Sequence, residues 1–92
     1  MISKSRLKFY ASLKDRAARA ETGLFIAEGH RAVQEGLKSG CPCEAAFVRE
    51  GFFGENEETD RLLSNQTVEL LEERDFRRLA NTESPQGVLA VF

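Results

Sequence analysis

Four short apolar runs constrain this chain more than any other feature: Leu24–Ala27, Ala45–Val48, Thr67–Leu71 and Val88–Phe92. A segment with room for a helix separates each from the next. Short apolar runs between turn signals read as buried strands. The intervening segments carry helical spacing instead. Ala32, Val33 and Leu37 share one face over residues 30–39, with Gly36 allowing close approach to a sheet. Leu62 and Leu63 serve a helix over 57–64, and Phe76, Leu79 and Ala80 one over 72–80. A first helix over 4–14 precedes them, and a basic, Ala-rich stretch follows it to Gly23, a plausible stop.

Strand–helix alternation is the α/β pattern, and connections through helices favour parallel neighbours. The expected object is a mostly parallel four-stranded sheet with helices on both faces. Its last strand, "VLAVF", is apolar throughout and belongs in the centre. A central strand that ends the sequence suggests that the natural chain continues past Phe92.

At 92 residues the chain makes a single domain spanning 1–92. The N-terminal stretch "MISKSRLKFY" has no apolar signal core, so a cytoplasmic protein without membrane attachment is expected. Cys41 and Cys43 are two residues apart, a poor geometry for a disulfide, and with His30 the lone histidine no zinc set forms. No metal and no catalytic residue is assigned. His30 has no nucleophile elbow to serve, and no phosphate-loop or dinucleotide fingerprint is present. Glu28, at the end of a strand, is read chiefly as a cap of the next helix.

Charge is unevenly placed. Residues 1–38 carry eight Lys/Arg against four Asp/Glu, a balance of +4, and residues 39–92 carry five against eleven, a balance of −6. Six basic side chains fall within the first 19 residues, opposed only by Asp15. Such a segment on an acidic body is a local footprint that the net charge of −2 hides. Lys14, Arg16 and Arg19, with Arg31 at the start of the next helix, are the candidate contacts for an RNA backbone. No aromatic platform for stacking bases is evident. The alternative reading is a protein-interaction module that uses this basic segment and the acidic loop near residues 50–60.

Two stretches carry a family resemblance. One is "LKDRAARAETGLFIAEGHRAVQEGLKSG" (13–40); the other is "FRRLANTESPQGVLAVF" (76–92). In this order the chain resembles the N-terminal substrate-binding domain of the SpoU (TrmH) class of RNA ribose 2′-O-methyltransferases. Arg16, Glu28, Gly29, Arg31, Val33, Pro85, Gln86 and Gly87 stand at the family's recurrent positions. The resemblance implies a small α/β/α fold like that of the kink-turn-binding ribosomal proteins. It also implies a role in holding structured RNA, most often ribosomal RNA. A catalytic knot domain would follow Phe92, bind S-adenosylmethionine and dimerise, so this chain would hold no cofactor and lack activity alone. Glu28, Gly29 and Gly87 would shape turns, and Gln86 would meet RNA or the catalytic domain. The acidic remainder of the chain confines the expected RNA footprint to one end.

Overall fold

The computed structural model describes residues 2–52, 54–82 and 85–92. Phe53 of the loop near residues 50–60 and Ser84 of the turn before the last strand lie outside them. The elements run α1 (Lys4–Ser12), α2 (Arg16–Thr22), β1 (Ile26–Glu28), α3 (His30–Lys38), β2 (Ala45–Arg49), α4 (Glu57–Leu63), β3 (Val68–Leu71), α5 (Glu73–Leu79) and β4 (Val88–Val91). The four strands and the later helices stand close to their expected positions. The basic stretch folds as α2, closed by Gly23 in the left-handed conformation (φ 74°).

The sheet order is β1-β4-β2-β3. The last strand is therefore central, as its apolar sequence demanded, and all four of its residues are buried. Successive side chains alternate between the two faces. Leu89 and Val91 enter one core with Phe47, Leu7, Tyr10, Phe76 and Leu79. Val88, Ala90 and Phe92 enter the other with Ala46, Val48, Val33 and Leu63. Helices α1, α2 and α5 thus cover one face and α3 and α4 the other. Gly36 has the expected packing role: a Cβ there would lie 2.5 Å from the Phe92 ring.

The expectation of a mostly parallel sheet is overturned. Only β2 and β3 pair in parallel. Both β1–β4 and β2–β4 are antiparallel. The crossovers through α3 and α4 do leave β1, β2 and β3 running the same way. What reverses β4 is α5. Its seven residues span only about 10 Å. It begins beside the end of β3, and the residues after it bond to Glu28 at the end of β1. The chain therefore crosses the end of the sheet without descending it. It enters β4 from the end where the other strands stop.

Candidate nucleic-acid interface

That end of the sheet gathers the ends of β1, β2 and β3, the start of β4, the start of α3 and the segment after α5. Glu28 organises it. One carboxylate oxygen accepts the Asn81 N–H at 2.7 Å, and the other accepts the Thr82 N–H at 3.3 Å and the Thr82 hydroxyl at 2.8 Å. Glu28 therefore does not cap α3, contrary to expectation: the N-cap is Gly29, which has no side chain to offer. The acceptor comes from Gln86, whose Oε1 receives the His30 N–H at 2.9 Å. Gly29 holds φ 89°, and a Cβ there would meet Gln86 Oε1 at 2.6 Å. Gly87 (φ 99°) sits against Phe52, whose ring a Cβ would approach to 3.0 Å. Gln86, assigned from sequence to RNA or interdomain contact, thus has a local task at the start of α3.

Arg49, the last residue of β2, ties the neighbouring loops together. It is 7% exposed, bonds Glu73 at 2.9 Å and the Pro85 carbonyl at 3.4 Å, and its guanidinium lies 3.9 Å from the centre of the Phe52 ring. His30 is equally occupied. Its Nδ1 lies 3.0 Å from the Thr59 hydroxyl and its Nε2 3.1 Å from Glu55. Gln34 Nε2 donates to the same hydroxyl. Every partner is satisfied if the neutral ring carries its proton on Nε2 and accepts from Thr59. The lone histidine is thus a bridge between α3 and α4.

A cleft of about 370 Å³ opens beside Glu28, lined by Leu13, Lys14, Arg19, Phe25, Ile26, Glu28, Leu79 and Asn81. A smaller one of about 210 Å³ adjoins it through Glu28 and is lined by Gly29, Thr82 and Gln86. Lys14 is exposed. One Arg19 nitrogen donates to the Leu13 and Lys14 carbonyls, at 2.9 and 2.7 Å. Those bonds close the corner between α1 and α2 and hold the guanidinium at the cleft. Arg16 is exposed on the first turn of α2 and does not line the cleft. Arg31 is separate. It lies on α3, the opposite layer, and pairs with Glu35 at 3.4 Å.

Phe25, which the sequence offered only as part of a buried run, is 45% exposed. Phe25 and Phe92 exchange both backbone hydrogen bonds and their ring centres lie 5.9 Å apart, so the Phe25 ring shares the α3 face with Phe92, opposite Leu13, Ile26 and Leu79 at the cleft. Two cations around the cleft can take a phosphate.

Among the described residues, no carboxylate forms an ion pair with Lys14, Arg16 or Arg19. The acidic loop is engaged elsewhere: Glu55 contacts His30 and Glu58 contacts Lys38 of α3 at 2.5 Å. The Lys38 ammonium holds the Glu58 carboxyl below its usual range. No helix among the described residues is long and apolar enough to cross a membrane.

Residues 4–90 match the family model of the MRM3-like substrate binding domain. A search of curated protein sequences gives no match. Among solved structures, an RNA 2′-O ribose methyltransferase is 31% identical, with a TM-score of 0.77 over 97% of this chain and 34% of that one. A putative RNA methyltransferase of the TrmH family from Porphyromonas gingivalis is 27% identical, with a TM-score of 0.71 over 100% and 35%. The SpoU methyltransferase AviRb from Streptomyces viridochromogenes, solved with AdoMet, shares the fold at 22% identity, with a TM-score of 0.74 over 97% and 35%. The chain thus spans about a third of the length of these proteins. It belongs to the MRM3-like substrate-binding domain family, the module of SpoU (TrmH) RNA 2′-O-ribose methyltransferases.

Proposed function

We propose that this chain is the RNA-holding module of an S-adenosylmethionine-dependent 2′-O-ribose methyltransferase acting on ribosomal RNA in the cytoplasm. The observation that carries the reading is the cleft where, among the described residues, Lys14 and Arg19 stand without carboxylate partners. Lys14, Arg16 and Arg19 bind phosphates of a structured RNA. Arg31, already paired with Glu35 on the far layer, contributes least. Glu28, Gly29, Gln86 and Gly87 hold the floor in shape.

The methyl-transfer chemistry and the dimer belong to a catalytic domain that follows Phe92. S-adenosylmethionine supplies the methyl group there. The cleft described here does not fit that cofactor, because a sulfonium would face Lys14 and Arg19, while Glu28 is committed to Asn81 and Thr82.

The test is binding of the 92-residue chain to folded ribosomal RNA fragments as salt is raised. The logarithm of the affinity should fall linearly with the logarithm of salt concentration, by about 0.7–0.9 for each phosphate neutralised. The variant Lys14→Ala/Arg16→Ala should bind more weakly with a shallower slope. It spares Arg19, whose loss would also open the α1–α2 corner. Absence of binding to any fragment at low salt would overturn the reading.

A further inference from the structure

A third cleft, of about 520 Å³, lies on the layer of α1, α2 and α5, between α1 and α5. Its walls carry Lys4 and Lys8 from α1 and Arg74 and Arg78 from α5. Each pair is spaced i, i+4, which puts their Cβ atoms about 5–6 Å apart on one helix face. The floor is apolar, with Ile2 and Leu7 at 7% and 4% exposure. Residues 4–8 and 74–78 are distant in sequence, so only the packing of α1 on α5 makes one basic groove of them.

The two layers differ in how many cations they leave over, for on α1 and α5 Arg6 pairs with Glu69 and Arg77 with Glu73. On α3 and α4, Arg31, Lys38 and Arg61 are each paired with a glutamate. In the groove, Asp75 reaches Arg74 at 3.5 Å, but among the described residues no carboxylate pairs with Lys4, Lys8 or Arg78. Clustered unpaired cations repel one another, and a polyanion laid over them relieves that repulsion and releases its own counterions. The groove also points somewhere. It draws on the N-terminal part of α1 and on α5, while the Lys14–Arg19 cleft is lined by Leu13 and Leu79 at the far ends of the same two helices.

We infer that the α1–α5 seam is a second phosphate track, which carries the backbone of a structured RNA onward from the Lys14–Arg19 cleft. The inference rests on the RNA-binding reading above and extends its footprint from one end of the sheet along a whole layer. Lys4, Lys8, Arg74 and Arg78 contact phosphates without reading sequence. Recognition along the seam is therefore by backbone shape.

The experiment measures the affinity of a fluorescent RNA stem-loop with an internal bulge across a salt series. Three proteins are compared: the natural chain, Lys8→Ala/Arg78→Ala in the seam, and Lys38→Ala/Arg61→Ala on the opposite layer. Each double variant removes two positive charges from exposed helix positions. The seam variant should lower the magnitude of the salt slope by about 1.4–1.8, the contribution of two phosphate contacts, while the other leaves it unchanged. Equal slopes for the two variants, or no change in either, would overturn the track while the RNA-binding reading stands. Failure of the natural chain to bind would remove both. Circular dichroism establishes that each variant is folded, and Lys8→Gln/Arg78→Gln repeats the test with longer side chains.

Discussion

At the scale of single residues, side chains far apart in sequence complete the turns at the candidate site. Helix α3 starts on Gly29 and takes its first acceptor from Gln86. Gln86→Ala should cost about 1 kcal/mol in urea unfolding, the usual worth of an N-cap. Gln86→Glu keeps an acceptor and adds a charge that the helix N-terminus favours, so it should lose less. Gly29→Ala should be worse than either. It places an L side chain at φ 89° and ψ 162°, a region essentially confined to glycine, at a cost of about 1–3 kcal/mol, and drives a Cβ onto Gln86 Oε1. The Glu58 carboxyl has a different reporter. Its hydrogen bond from Lys38, and then the attraction between their charges, lower its pKa on folding. The stability from this pair is therefore present above the ordinary carboxylate range and lost as pH falls through the lowered value. Lys38→Ala should raise the Glu58 titration midpoint seen by NMR.

Among the elements, β4 and α5 decide the architecture. Strand β4 contributes to both cores and is the strand to which β1 and β2 both pair. Leu89→Ala should cost about 2–5 kcal/mol, since Leu89 is fully enclosed. Leu70→Ala, on edge strand β3 and 53% exposed, should stay within about 0.5 kcal/mol in the same denaturant series. The strands and the other helices were legible because each has a local cause, whereas the stretch that forms α2 was read only as basic and Ala-rich, with a stop at Gly23. Val33 and Leu37 mark a helix face, Gly23 stops α2, and the unbroken apolar run 88–92 calls for a strand covered on both sides. The pairing direction was not legible. It depends on where α5 travels, and a seven-residue helix carries no signal for crossing a sheet as opposed to descending it.

For the molecule as a whole, the two helical layers differ in charge. One engages its cations with its own glutamates, and the other leaves several open. A ligand bound only by the folded state should protect it: RNA at a hundred times its Kd should add about 2.7 kcal/mol to the unfolding free energy, read as a rise in Tm. The sequence alone determined the α/β class, the central place of "VLAVF", the family, and the basic character of the N-terminal segment. These follow from periodicity, turn residues and the order of motifs, all of which are properties of neighbours along the chain. Only the tertiary structure decided that β4 runs against its neighbours, that Glu28 holds residues 81 and 82 instead of capping α3, that the Phe25 ring lies against Phe92, and that Lys4 and Lys8 share a groove with Arg74 and Arg78. Each of those facts joins positions tens of residues apart. Such contacts depend on how the layers pack, and no local pattern encodes which distant partner a side chain will meet.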